Sequence, residues 1–155
     1  MKQSTASEFS PSSVNAETST PSWFLPFQAT ARQYVLYVLV FLTWGLISNS
    51  IGKALHIAEF GHWWQVATCY VGYLVPVSLV LRRKSLFEQY VYGVFALAPL
   101  ELIGYSLGTS IAHDNNLFDL VLGPRNFTLA MSVFFGIIPP VGNTIVKTLD
   151  EKFGG

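Results

Sequence analysis

The sequence predicts an all-α integral membrane protein: a bundle of four transmembrane helices behind a disordered N-terminal tail. Three observations predict it. Of the 155 residues, 51% are hydrophobic and only 12% are charged, about half the charge of an ordinary soluble domain. The apolar residues gather in four long blocks instead of recurring at the intervals of one soluble core. The basic residues are segregated to alternate connections between those blocks, as membrane topology demands. Nine basic and nine acidic residues cancel, which argues against nucleic acid as a partner.

Residues 1–30 differ in kind. The stretch "MKQSTASEFSPSSVNAETSTPS" is rich in Ser and Thr and nearly free of large apolar residues. Such a segment cannot bury enough surface to offset its ordering entropy, so a disordered tail is expected. No apolar run follows a basic start, so it does not read as a secretory signal. "PSWFLPFQ" then places Trp23, Phe24 and Phe27 ahead of the first block. Two prolines prevent a helix there, and the aromatic residues suit an anchor at the membrane interface.

The transmembrane domain is expected over 31–155, with spans near 34–52, 63–81, 87–112 and 126–146. About 20 residues cross the hydrocarbon at 1.5 Å each. The third block is longer than that and must tilt or protrude. Pro76, Pro99, Pro139 and Pro140 fall inside spans. Each removes a backbone donor, so kinks are expected, above all at the Pro139-Pro140 pair.

Four crossings put the tail, the turn at 82–86 and the C-terminus on one side. That side carries Lys2, Arg32, Arg82, Arg83, Lys84, Lys147 and Lys152; the other carries Lys53 and Arg125. Seven against two is a positive-inside bias, which assigns both termini to the cytoplasm and makes Arg82, Arg83 and Lys84 a topology signal. Contact of this turn with anionic lipid is the lesser alternative.

One motif invites an enzymatic reading. Gly104-Tyr105-Ser106-Leu107-Gly108 fits G-x-S-x-G, the nucleophile elbow of serine hydrolases. That elbow needs a strand before it and a helix after it, and here the motif lies inside a continuous apolar block. The same letters contain G-x-x-x-G. Gly104, Gly108 and Ala112 at four-residue spacing predict one small-residue helix face against which a neighbour packs closely. Glu101, three residues before Gly104, falls on that face. At mid-depth an ionised carboxylate is costly, so Glu101 reads as an intramembrane acid with either of two roles. It bonds helices together, with Tyr70, Tyr73 or Ser132 as donors at similar depth, or it handles a proton or ligand. Cys69, the sole cysteine, cannot form an intramolecular disulfide and reads as a packing residue.

All three histidines, His56, His62 and His113, fall on the non-cytoplasmic side with Glu59, Asp114 and Asp119. If the two outer loops converge, these side chains form a polar or metal site for a divalent ion. Otherwise they are polar tips on an aromatic belt with Trp63 and Trp64. Arg125 is expected to pair with Asp119 or Asp114, or to bind a lipid phosphate. Asn126 is expected to cap span four. Asn143, beyond the double proline, lies near the cytoplasmic boundary.

No soluble domain and no catalytic motif stands out, and no cofactor follows from the residues. The function expected is an accessory, scaffold or assembly subunit of a membrane complex, with the lipid bilayer and other membrane subunits or a second copy as partners. The alternatives are a proton-coupled transporter or channel component using Glu101, and a membrane enzyme with a His/carboxylate site on the outer face.

Overall fold

The computed structural model describes residues 28–154. The expected tail, with its aromatic segment, lies outside the described residues up to position 27. Four helices are long and apolar enough to cross a membrane: α1 (Ala31–Ala54), α2 (Trp63–Leu81), α3 (Leu86–Ser106) and a broken fourth span, Pro124–Phe153. A short helix, α4 (Leu117–Leu122), precedes that span, which consists of α5 (Pro124–Phe135) and α6 (Ile138–Phe153). Among the described residues there is no strand, only a single bridged pair between two loops.

Local chemistry starts each helix. Thr30 caps α1: its hydroxyl accepts from the Gln33 N–H at 3.2 Å, and the Gln33 side chain accepts from the Thr30 N–H. Ser85 and Glu88 make the same reciprocal pair at the start of α3. The Asn116 side chain accepts from the Phe118 and Asp119 N–H groups and begins α4. Gly123, at φ 78°, turns the chain into Pro124 at the head of α5. Gly123 thus holds the position expected for Asn126, whose side chain instead donates back to the Leu122 carbonyl at 3.0 Å.

The prolines deform the helices in separate ways. Ahead of Pro76, α2 widens into a π-helical stretch over Thr68–Leu74, and the Val75 N–H reaches back to the Tyr70 carbonyl. The wider turn makes room for the proline ring, which would otherwise meet the carbonyl one turn back. Pro99 weakens the ladder of α3, and the Tyr73 hydroxyl of α2 donates to the Ala96 carbonyl at 2.6 Å. Pro139 and Pro140 sit in the first turn of α6, where no intrahelical donor is lost, so the fourth span breaks just before them.

In the bundle, α1 packs on α2 and α6, while α3 packs on α2, α5 and α6; α2 also meets α6. The core gathers Phe41, Val66, Tyr70, Leu74, Leu79 and Ile138. Close approach depends on glycines at the crossings. A Cβ on Gly45 would lie 2.7 Å from the Tyr70 ring, and one on Gly93 would lie 2.9 Å from the Gly136 carbonyl. Gly142 lies directly under the Phe41 ring. In the most apolar stretches of α1 and α3 only 17% of residues are buried inside the bundle. Val35, Leu39, Ile47, Phe95 and Ile103 point outward, a surface suited to hydrocarbon.

The third span ends earlier than its apolar run suggests. Helix α3 stops at Ser106, not near Ala112. Gly108 adopts φ 66°, the Thr109 N–H bonds the Gly104 carbonyl at 2.9 Å, and the Gly108 N–H bonds the Tyr105 carbonyl at 3.1 Å. This is a Schellman stop, which favours glycine because an L side chain is strained there. The expected face of Gly104, Gly108 and Ala112 therefore does not exist as a helix face. A Cβ on Gly104 would meet only the Thr109 hydroxyl, at 3.9 Å, and one on Gly108 would meet nothing within 4 Å.

Candidate functional site

The polar chemistry falls in two places, one inside the bundle and one under the outer loops. Inside, Asn143 of α6 connects all four spans. Its Oδ1 accepts from the Tyr37 hydroxyl of α1 at 2.6 Å. Its Nδ2 donates to the Ser78 carbonyl of α2 at 3.0 Å and to Gln89 Oε1 of α3 at 2.8 Å. The Gln89 amide then donates to the Lys84 carbonyl at 2.8 Å, closing the network onto the 82–85 turn. Tyr37, Ser78, Gln89 and Asn143 are all buried. In hydrocarbon a buried amide without partners is costly, and here the Asn143 and Gln89 amides find partners across the bundle, while the Ser78 hydroxyl has none. Sequence reasoning placed Asn143 but missed Gln89. The available signal was position: Gln89, Gly93, Leu97 and Glu101 recur every four residues along the inner stripe of α3.

At the same end of the bundle, α1 is tied to the end of α6. Arg32 Nε lies 3.7 Å from Asp150, and the Gln33 amide donates to Asp150 at 2.8 Å. Arg82 donates to the Gln28 carbonyl. Arg83 and Lys84 are exposed.

At the other end the two outer loops do meet. Ala58 and Ala112 form an antiparallel bridge: the Glu59 N–H donates to the Ile111 carbonyl at 2.8 Å, and the His113 N–H to the Ile57 carbonyl at 2.9 Å. The Asn49 side chain accepts from the Phe60 N–H at 2.8 Å and holds the first loop over α1. The bridge brings together part of the expected polar site. Glu59 lies 2.7 Å from Lys53 and 3.7 Å from His113, and the His56 and His113 rings are 5.9 Å apart. The hydrogen bond from Lys53 holds the Glu59 carboxyl below the usual carboxylate range, with the charges of Lys53, His113 and His56 adding to it.

The other expected members stand apart. His62 stacks on Trp64 with ring centroids 6.1 Å apart. Asp119 accepts from the Asn115 N–H at 3.3 Å within its own loop, and Asp114 is exposed. Among the described residues, no three His, Cys, Asp or Glu side chains are grouped to hold a metal ion. The Lys53 ammonium occupies the position beside Glu59 that a cation would take. Arg125 is exposed and forms no ion pair among the described residues, so the expected bond to Asp119 or Asp114 is not made.

Glu101 lies under this bridge. It is half-buried on the inner stripe of α3, in a crevice with Ala58, Ala112, Phe127, Thr128 and Met131. Cys69 and Tyr70 of α2 are within electrostatic reach. Five residues separate Glu101 from the end of α3, about 8 Å along the axis, so it lies toward the end of that helix rather than at its middle. None of the expected donors reaches it. Tyr73 bonds Ala96, Ser132 bonds the Leu129 carbonyl at 2.6 Å, and Tyr70 bonds Ser48. The crevice volume is about 10 Å³, the lower limit for one water molecule.

The fold defines a class: an all-helical bundle whose four long apolar helices suit a multi-pass membrane protein. No protein-family model, no curated protein and no solved structure matches this chain.

Proposed function

We propose that this chain is an integral membrane accessory or assembly subunit, built as a rigid four-helix block, with its basic end and both termini in the cytoplasm. The observation that carries the reading is the Asn143 network. A transporter needs a helix that shifts or a polar cavity along the bundle axis. Here the central amides bond four helices at once, and the crevice at Glu101 has no room for a substrate. The wide outward apolar faces suit lateral association with other membrane helices.

The test is the native size of the protein. Extracted from its own membrane into polymer-bounded lipid discs, it is expected to run with a larger assembly at fixed stoichiometry. A chain recovered alone from native membranes would contradict an accessory role.

A second reading, proton handling at Glu101, has one observation in its favour: the carboxyl accepts no hydrogen bond from the described residues. It requires a pH-driven flux in proteoliposomes that Glu101→Gln abolishes. Flux of the purified protein that does not exceed that of empty vesicles would remove it.

A further inference from the structure

We propose that a groove between α3 and α6 binds one anionic phospholipid, with an acyl chain in the groove and the phosphate held by Arg83, Lys84 and Lys147. The groove has a volume of about 470 Å³ and runs between Leu86, Phe87 and Tyr90 on one wall and Ile137, Val141 and Ile145 on the other. Its origin is the break in the fourth span. The chain bends at Gly136–Ile137, and α6 leaves α3 with a gap that no side chain fills.

The lining shows what can occupy that gap. Two polar side chains reach it, Tyr90 and Thr144, and both are already satisfied. The Tyr90 hydroxyl donates to the Val133 carbonyl at 3.2 Å, and the Thr144 hydroxyl to the Pro140 carbonyl at 2.8 Å. The groove therefore offers a ligand little but carbon, and its occupant there is hydrocarbon. A single flexible chain fits this space along its length.

Charge at the mouth selects the headgroup. Lys84 precedes Leu86 by two residues, and Lys147 follows Thr144 by three, on the same helical face. Arg83 and Lys84 are exposed and in no ion pair among the described residues. Lys147 has only a loose contact with Glu151, 3.9 Å long and 77% exposed on the lysine side. The nearby acids have other partners as well: Glu88 accepts from Ser85, with Lys84 within reach of its charge, and Asp150 meets Arg32 and Gln33. Three available cations at the membrane surface beside a hydrocarbon slot complement an anionic phospholipid and not a zwitterionic one.

The experiment reconstitutes the full chain in nanodiscs of phosphatidylcholine with one-fifth phosphatidylglycerol, then counts retained lipids by native mass spectrometry. One retained lipid per chain is expected, with phosphatidylglycerol chosen over phosphatidylcholine about tenfold per molecule present. That preference should weaken with each cation neutralised in the series Arg83→Gln, Lys84→Gln and Lys147→Gln, and reach about one when all three are gone. Thr144→Phe, which fills the groove and leaves the cations, should also lose the retained lipid. Equal retention of the two lipids by the unaltered chain would overturn the proposal. So would unchanged retention by Thr144→Phe, or a dimer crosslinked through Phe87→Cys that excludes lipid.

Discussion

The Tyr37 hydroxyl donates to Asn143 Oδ1 at 2.6 Å, joining the first spanning helix to the last across the buried end of the bundle. The other side of the same amide holds α2 and α3. Replacing Asn143 by Leu should therefore loosen all four helices together. Hydrogen bonds between membrane helices contribute about 0.6 kcal/mol each. Stranding Gln89 and Tyr37 adds to that, so a loss of about 2–3 kcal/mol is expected for Asn143→Leu. Tyr37→Phe, which removes one bond, should lose well under half as much. Reversible unfolding in bicelles reads both values. An Asn143→Leu protein as stable as the parent would show that the network carries no load.

Two glycines separate true packing positions from apparent ones. Gly45→Ala drives a methyl against the Tyr70 ring and Val66, and overpacking of this kind costs about 1–3 kcal/mol. Gly104→Ala adds a methyl with open space around it, and by helix propensity it should stabilise by up to about 1 kcal/mol. Thermal unfolding in detergent should shift in opposite directions for the two variants. Destabilisation by Gly104→Ala would restore the small-residue face that the sequence pattern suggests.

That pattern marks where the sequence was legible and where it was not. Long apolar blocks between polar turns identify the spans, because hydrocarbon tolerates little else, and α1, α2 and α3 begin within about three residues of the expected positions. The end of α3 was hidden. Leu107, Ile111 and Ala112 continue the apolar run, while the stop depends on backbone geometry at Gly108. One glycine satisfies both a packing repeat and a helix stop, and composition does not separate them. The position of Glu101 along its helix was hidden for the same reason, since α3 ends six residues sooner than the apolar run suggests. The bridge of Ala58 to Ala112 joins residues far apart in the chain and leaves no local trace. The Asn143 network was half legible: lone amides in apolar helices mark inward faces, but their pairing is a property of the assembled bundle.

The outer bridge should respond to acid. Lys53 holds Glu59 below its ordinary pKa, so ionised Glu59 favours the folded loop pair. That contribution is fully present above the ordinary carboxylate value of about 4.3 and is lost as pH falls through the depressed value. The pair is exposed, so the effect is local. Amide exchange at Glu59 and His113, corrected for intrinsic rates, should quicken at pH 3 relative to pH 6. In Glu59→Gln this acid dependence should vanish. Exchange that is equally slow at both pH values would mean the bridge holds without the ion pair.

His56 occupies the left-handed region at φ 51° just past the end of α1. A side chain there costs about 1 kcal/mol compared with glycine. His56→Gly should therefore raise stability by up to about 1 kcal/mol, read as a higher unfolding midpoint. A lower midpoint would mean that the imidazole makes contacts worth more than the strain.

The most direct measurement is topology. In a Cys69→Ala background, single cysteines at Lys84→Cys, Lys152→Cys, Gly61→Cys and Asn115→Cys are labelled in intact cells with a membrane-impermeant maleimide. Positions 61 and 115 should label from outside, while 84 and 152 should label only after the membrane is opened. Labelling of 84 and 152 on opposite sides, or of 61 and 115 on opposite sides, would contradict a bundle that crosses the bilayer four times.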